Sequence, residues 1–226
     1  MHAKREIRDN LPSCPHLALE RTLWMDGVIH VAGVDEAGRG AWAGPLVAAS
    51  VLLPPSRDDL AQALTGVTDS KCLSPRRRET LFPIITRVAL AIGVGQASPT
   101  RIDRYGLMAA TRLAMVRAVE ALVIVPEHLL IDAVDLRQKV NIPQQAMFFG
   151  DSISLSVAAA SIIAKVTRDR IMCQLDSLYP HYGFAKHKGY GTVAHRAALA
   201  KHKPTPIHRR SFKPIAALVD QHPARA

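Results

Sequence analysis

The stretch Val28-Ile-His-Val-Ala-Gly-Val34-Asp-Glu-Ala-Gly-Arg-Gly40-Ala-Trp-Ala-Gly44-Pro-Leu-Val-Ala-Ala-Ser-Val-Leu-Leu53 decides the fold. Its first seven residues read as a strand that ends at Asp35-Glu36, and Pro45 to Leu53 reads as a second strand, apolar enough to be buried on both faces. The Gly-rich link between them, residues 37–44, is short enough to join antiparallel neighbours. Consecutive strand residues point to opposite faces, so Asp35 and Glu36 share a site only if the strand ends or bends between them, and the glycines that follow allow a bend.

Outward from this pair, the pattern alternates. Ser74-Pro75 opens a helix, with Ser as the N-cap and Pro in the first turn. Arg87 to Gln96 reads as a strand, and Asp103 to Ala121 carries apolar residues at helical spacing. His128 to Asp132 and Gln145 to Phe149 read as strands, each leading to a carboxylate, Asp132 and Asp151. A long helix follows, about Ser154 to Leu175, whose small residues Val157 to Ser161 let it lie close against a sheet. The last segment holds a helix over Val193 to Lys201 and a terminal helical piece. Strands first, then strands alternating with helices, predict an α/β fold: a mixed sheet flanked by helices. Three parts are expected: residues 1–25, broken by Pro12 and Pro15, as a flexible N-terminal extension; 26–178 as the core; and 179–226 as a basic, helical, substrate-binding part and tail.

The chain has 226 residues, 48% hydrophobic and 21% charged, which excludes wholesale disorder and suits one compact domain. No apolar run reaches the ~18 residues a membrane span needs, so no membrane role is expected. The first residues mix charges of both signs without an apolar core, so no secretory signal is expected either. Cys14, Cys72 and Cys173 are odd in number and far apart, forming neither a disulfide frame nor a CxxC site, and a reducing cytoplasmic location is expected. The net charge is +10. Between Asp176 and Asp220 no acidic residue interrupts Lys186, Lys188, Arg196, Lys201, Lys203, Arg209, Arg210 and Lys213, and Tyr179, Tyr182, Phe184, Tyr190 and Phe212 are interleaved with them. Basic groups among aromatics fit a polyanion with flat bases; a plain solvated surface is the alternative.

Four carboxylates, Asp35, Glu36, Asp132 and Asp151, stand at predicted strand ends or the start of the next helix. Like charges brought together repel and raise one another's pKa, so such a cluster calls for a cation. All-oxygen ligands point to Mg2+ or Mn2+ rather than zinc. Two such ions ~3.5–4 Å apart are the usual engine of phosphodiester cleavage. Gly38-Arg39-Gly40 lets backbone approach a ligand closely, as reading a ribose 2′-hydroxyl requires; alone it is equally a tight turn. No GxxxxGK[ST] loop and no GxSxG elbow is present, and Gly189 to Ala194 fits a dinucleotide fingerprint only superficially because no strand precedes it.

These residues, with Asp69-Ser-Lys71, Leu73-Ser74, Leu130-Ile-Asp132, Gly150-Asp151, Ala158 to Lys165, Thr167-Arg-Asp169, His187 to Thr192 and His208 to Phe212, resemble ribonuclease HII in order from about Val31 to Pro214. The resemblance implies a ribonuclease-H-like core with a small helical C-terminal subdomain. It implies endonucleolytic cleavage of RNA in RNA·DNA hybrids and 5′ of ribonucleotides embedded in duplex DNA, leaving 3′-hydroxyl and 5′-phosphate ends. Asp35, Glu36, Asp132 and Asp151 match the family's catalytic metal ligands, with Asp135 a weaker rival for the third. Gly38, Arg39 and Gly40 match the loop that holds the 2′-hydroxyl, and Tyr190 the tyrosine that stacks on the deoxyribose beyond the junction. Two departures stand out: Phe149 where the family often has Lys, and Ala133 where it usually has Gly.

Other candidate substrate contacts are Lys71 (phosphate, or a salt bridge to Asp69), Ser161 and Lys165 (phosphate, or packing for Ser161), and His187 with Lys188 (phosphate, or a solvated loop). His208, Arg209 and Ser211 hold phosphate or tie the tail to the core. The expected partners are RNA·DNA hybrids and ribonucleotide-containing duplexes; no obligate protein partner is called for, and the chain is expected to be a monomer. Rival readings are a strand-transferring or junction-cutting nuclease of the same superfamily, and a hybrid-binding module without cleavage.

Overall fold

A computed structural model describes residues 11–220, with side chains to 218. Five strands form one sheet in the order β3-β2-β1-β4-β5. β1 (Val31–Ala37), β2 (Leu46–Leu52) and β3 (Ala91–Ala97) form an antiparallel meander, while β4 (His128–Asp132) and β5 (Gln144–Met147) add in parallel on the other side of β1. β1 is therefore central, and its last residues face the open end of the sheet beside the end of β4.

The helices are α1 (Ala18–Met25), α2 (Leu60–Ala63), α3 (Pro75–Val88), α4 (Pro99–Tyr105), α5 (Leu107–Glu120), α6 (Gly150–Ile153), α7 (Leu155–Leu178), α8 (Phe184–His187), α9 (Val193–His202) and α10 (Lys213–Asp220), with a 3-10 turn over Ser70–Cys72. Ser74, Ser98, Ser154 and Thr192 cap α3, α4, α7 and α9 by accepting a backbone N–H from the first turn. The helix expected from Asp103 to Ala121 is interrupted at Gly106 into α4 and α5.

Strand alternation sorts the core into two layers. Ala49, Val51 and Leu53 pack with Leu81, Ile85, Ala159 and Ile163 under α3 and α7. Ala32, Val34, Ala48, Leu52 and Ile131 pack with Ala114, Met115 and Ala118 of α5. The small-residue start of α7 lies against β1 so closely that a Cβ on Gly33 would fall 2.2 Å from the Ser156 carbonyl carbon. A third cluster, Ala43, Met172, Tyr182, Phe184, Leu199 and Ile215, holds the C-terminal helices to the end of α7.

The N-terminal part departs from the expectation of a flexible extension. Residues 1–10 lie outside the described residues, but 11–25 are folded onto the core. Leu17 is buried, the His16 amide donates to the Ile153 carbonyl of α6 while the His16 carbonyl accepts from the Leu155 amide of α7, and Glu20 is fully buried in α1. Its Oε1 accepts from the Ser154 hydroxyl (2.6 Å), the Ser156 hydroxyl (2.7 Å) and the Ser156 amide (2.9 Å). A carboxylate at the start of a 24-residue helix meets unpaired N–H groups and the positive end of the dipole. Only eight residues long, α1 offered little periodicity from which to read a helix.

Candidate active site

The strand end does not bend between the paired acids, contrary to expectation. β1 continues through Ala37, with Asp35 opposite Ala49 and Glu36 opposite Ala48. Asp35 points to the α7 side with Gly33, and Glu36 to the α5 side with Val34; the site takes in both sides of a strand at its end. Asp132, the last residue of β4, and Asp151, in the first turn of α6, come to the same end. The Gly150 amide donates to Asp132 Oδ1 at 2.8 Å, tying β4 to the start of α6.

Burial and mutual repulsion govern these acids. Asp35 is 2% exposed, and burial, then Glu36, Asp132 and Asp151, hold its carboxyl well above the usual range. Burial pushes Glu36 up to about 7, although Arg39 Nη1 stands 3.4 Å from its Oε1. Burial pushes Asp151 up to about 6 against the pull of Lys71. Burial also raises Asp132, opposed by the Gly150 hydrogen bond and Lys71. Asp35 Oδ2 and Glu36 Oε2 are buried without a hydrogen-bond partner.

The Lys71 ammonium sits amid this charge, 3.1 Å from Asp151 Oδ2 and 3.4 Å from Asp69 Oδ1. Burial alone would lower its pKa, but Asp151, Asp35 and Asp69 together carry it above the ordinary lysine range. Both the phosphate-facing and the salt-bridging readings of Lys71 are thus compatible with its place. Among the described residues, no three His, Cys, Asp or Glu side chains form a ready-made chelate. The orphaned carboxylate oxygens and the all-oxygen donor set nonetheless suit a hard divalent cation, which would relieve the repulsion that a single lysine leaves.

A cavity of about 650 Å³ opens at this end, lined by Glu36, Ala37, Gly38, Arg39, Gly40, Ser70, Lys71, Arg78, Asp132, Lys165 and Tyr190. Glycine is required at position 38: its φ is +96°, and a Cβ would fall 2.0 Å from Arg168 Nε. Tyr190 lies beneath two cations, with Lys165 Nζ 5.5 Å and the Arg168 guanidinium 5.3 Å from its ring centroid. Lys165 is bound to Asp169 at 2.7 Å.

Other candidates face elsewhere. Ser161 is 2% exposed and donates to Ser70 Oγ at 2.9 Å, so it packs α7 against the Ser70 turn and does not reach out to a phosphate. His187 spends both ring nitrogens internally: the Gly189 amide donates to Nδ1 (3.2 Å) and Nε2 meets the Tyr182 carbonyl (2.7 Å). Lys188 Nζ points back to Cys173 Sγ at 3.2 Å and to the Ala185 carbonyl. All three make internal contacts, which is the packing alternative for Ser161 and takes the place of a freely solvated loop for His187 and Lys188. The rival Asp135 bonds to its own loop, at the Arg137 amide, and joins no acidic neighbour.

Two buried arginines had no catalytic expectation attached. Arg168 donates to the carbonyls of Pro45 (3.0 Å), Ala43 (3.1 Å) and Lys188 (3.0 Å). Arg209 donates to those of Gly44 (3.1 Å) and Arg39 (2.9 Å). Together they clamp the link after β1 to the Lys188–Tyr190 loop, which resolves the Arg209 alternatives in favour of tying. The Thr167-Arg-Asp169 and His208-Arg motifs carried the signal, but sequence gives no way to tell a buried guanidinium from a phosphate ligand.

A family model for Ribonuclease HII matches residues 32–215. The chain belongs to the ribonuclease HII family. It is 52% identical over 201 residues to the Ribonuclease HII of Chloroflexus aurantiacus, covering 89% of this chain and 94% of the relative. It is 50% identical over 206 residues to that of Chloroflexus aggregans, covering 91% and 97%. Among solved structures, the ribonuclease H2 of Pyrococcus horikoshii superposes with a TM-score of 0.72 at 29% identity, covering 86% of this chain and 99% of that one. The PCNA:RNase HII complex of Archaeoglobus fulgidus gives 0.69 at 29% identity, covering 81% and 95%. A Bst-RNase HIII solved with Mn2+ shares the fold at 20% identity, with a TM-score of 0.64 and coverage of 88% and 71%.

The expected ribonuclease-H-like mixed sheet is therefore the fold, and the family's activity is this chain's: metal-dependent endonucleolytic cleavage of the RNA strand in RNA·DNA hybrids. Its substrate is nucleic acid, and among the described residues no helix is long and apolar enough to cross a membrane.

Proposed function

We propose that the enzyme also nicks 5′ of a ribonucleotide embedded in duplex DNA, leaving 3′-hydroxyl and 5′-phosphate ends, with Asp35, Glu36, Asp132 and Asp151 holding two Mg2+ or Mn2+ ions. The observation that carries this reading is the lining of one cavity by the acidic pair's Glu36, by Asp132, by Gly38-Arg39-Gly40 and by Tyr190. Acid cluster and sugar reader thus share a single space.

Bound there, divalent cations supply neutralisation of charge on the attacking water and the departing 3′-oxygen. The chain's own residues do the rest. The backbone of Gly38-Arg39-Gly40, held by Arg209 at the Arg39 carbonyl, offers its polar groups to a 2′-hydroxyl. Tyr190 presents its ring to the next sugar, where a 2′-hydroxyl would collide and a deoxyribose would stack. Lys71 and Lys165 bring positive charge to the phosphates on either side. With recognition resting on sugar and backbone, base sequence matters little and binding weakens steeply with salt. The enzyme acts as a monomer in the cytoplasm without an obligate protein partner; co-elution with PCNA, the protein in complex with the A. fulgidus RNase HII, would revise that part.

The test is a duplex with one embedded ribonucleotide set against an all-DNA control, in Mg2+ and then in Mn2+. A single nick 5′ of the ribonucleotide is expected in the first and none in the second; equal cutting of both refutes the reading. Asp132→Asn is expected to lose turnover yet keep affinity, whereas a mere binder would be indifferent to it. Nicking that persists in excess EDTA disposes of the metal requirement.

A further inference from the structure

Three imidazoles lie together behind Tyr190. His187 stacks on His195 with centroids 4.5 Å apart, and His195 Nε2 is 3.1 Å from His208 Nε2. His195 and His208 are 0% and 1% exposed. One backbone group settles where their protons are. The Thr205 amide N–H can only donate, and it points at His208 Nδ1 from 2.9 Å. His208 therefore carries its proton on Nε2, which makes His195 Nε2 the acceptor and leaves the His195 proton on Nδ1. That Nδ1 is 3.1 Å from the Tyr190 carbonyl. The Tyr190 amide donates in turn to the His187 carbonyl at 2.9 Å. The Tyr190 carbonyl thus meets the His195 ring as well as the Thr192 amide (2.8 Å), and the Tyr190 amide ends on the His187 backbone, although the Tyr190 ring is in the substrate cavity.

We propose that His208 and His195 form a proton-ordered chain that positions Tyr190, and thereby sets how strongly the enzyme distinguishes deoxyribose from ribose on the far side of the cleaved junction. The inference rests on the reading of Tyr190 given above. His195 and His208 are positioning residues; neither lines the cavity. The chain has a direction, so a second proton on either ring breaks it: protonated His208 Nδ1 would face the Thr205 N–H, and protonated His195 Nε2 would face the His208 N–H.

The surroundings keep both rings neutral. Burial holds each down at a pKa of about 4, with His187 adding to it at His195 and with His195 and His187 adding to it at His208. Facing them are Tyr182, Phe184 and His187 around α8, Trp42 from the link after β1, and Arg209, whose guanidinium turns away to Gly44 and Arg39. On α9 itself Arg196 turns to the Gly191 carbonyl and the Trp42 ring. Among the described residues no carboxylate is hydrogen-bonded to either ring. The same geometry reaches the other reader loop, because the Gly189 carbonyl accepts from the Trp42 amide at 2.8 Å.

The experiment compares kcat/KM on a duplex with one embedded ribonucleotide and on a uniform RNA·DNA hybrid, and reads their ratio. Tyr190→Ala is expected to lower the ratio about tenfold. His195→Phe, which keeps the packing and removes the hydrogen bonds, is expected to lower it about threefold to tenfold, the effect of one lost hydrogen bond. His195→Asn, whose amide nitrogen takes the Nδ1 position, is expected to recover it to within about twofold of wild type. An unchanged ratio in Tyr190→Ala refutes the reading of Tyr190, and the inference falls with it. A changed ratio in Tyr190→Ala with a wild-type ratio in His195→Phe overturns the chain alone, since a purely structural role slows both substrates equally. Nitrogen-15 NMR of the wild-type protein needs no variant: neutral His195 protonated on Nδ1 and neutral His208 protonated on Nε2 are expected at pH 7, and the reverse tautomer on either ring overturns the chain.

Discussion

Two buried ionisable clusters lie on either side of the reader loops, and they solve the problem of buried charge in opposite ways. At the ends of β1 and β4 four acids are crowded with only Lys71 and Arg39 against them, and two carboxylate oxygens have no partner. Around α8 and α9 the His195 and His208 rings stay neutral and bond to one another and to backbone, while Arg168 and Arg209 are spent on five carbonyls. The second region pairs its rings and most of its guanidinium groups within its own chain, although Arg168 Nη1 and Arg209 Nη2 have no hydrogen-bond partner. The first crowds like charges, and a buried site short of positive charge is built to receive it from outside.

The largest effect that tests this contrast comes from Asp35→Asn. Activity should fall by at least ~10³-fold, the scale of losing a group that stabilises charge in the transition state. In EDTA the variant should nevertheless unfold at higher urea than wild type, by about 1–3 kcal/mol, because a buried, repelled charge is gone. Wild type should gain stability on adding Mg2+ and the variant should gain much less. A variant less stable than wild type without metal would mean that the pocket is not under electrostatic strain.

Arg168→Met probes the other region and should go the opposite way. It removes three hydrogen bonds and leaves the carbonyls of Ala43, Pro45 and Lys188 buried, at an expected cost of about 3–5 kcal/mol read from urea unfolding. Added Mg2+ should not restore that loss. Arg168→Lys should recover little, because an ammonium cannot span carbonyls on two separate loops as a guanidinium does.

The contrast also explains what was legible in the sequence. The strands and the long α7 were readable because apolar runs, Ser caps and the small-residue stretch at Val157–Ser161 are local signals. The four acids were readable because each follows such a run. The bend expected between Asp35 and Glu36 was wrong because alternation was applied to the middle of a strand, whereas at its last residues both faces open onto the same space. The alternatives for Ser161 and His187 stayed open in the sequence for a common reason: polarity is visible there, but partners such as Ser70 for Ser161 and Tyr182 for His187 depend on the fold. The basic segment hid the same trap, since His195, His208 and Arg209 add to an apparent surface charge while standing inside the fold.

A smaller effect sharpens the comparison through pH. Glu36 and Asp151 have folded pKa values of about 7 and 6, above their ordinary values of 4.5 and 3.8. Their contribution to stability is present below the ordinary values and is lost as pH rises through about 6 to 7. His195 and His208 lie at about 4, below the ordinary 6.5. Theirs is present above 6.5 and is lost as pH falls toward 4. In EDTA the two slopes oppose each other between about pH 4.5 and 6.5, and the urea midpoint should be nearly flat there. Saturating Mg2+ should cancel the acidic slope at its upper end, so that stability falls by about 1–3 kcal/mol from pH 7 to 5.5. An EDTA profile as steep as the Mg2+ profile would show that the acids do not titrate in this window.

The smallest expected effect concerns Ala133, next to Asp132, a non-glycine residue at a left-handed turn. Its φ is +54°, in the left-handed region that a Cβ disfavours by roughly 1 kcal/mol. The Ala133 amide still bonds to the Met147 carbonyl at 2.8 Å and the Gly150 amide still reaches Asp132 at 2.8 Å, so the turn is held by the sheet and by α6 despite the wrong residue. Ala133→Gly removes that strain but gives the unfolded chain more freedom, and the two oppose each other. Stability should therefore change by no more than about 1 kcal/mol, in the favourable direction if the strain dominates. Activity should stay within about twofold, since Asp132 keeps its hydrogen bond. A tenfold change in kcat with unchanged stability would show instead that the position of Asp132 depends on the methyl group itself, and that this edge of the acidic region is tuned by its own chain after all.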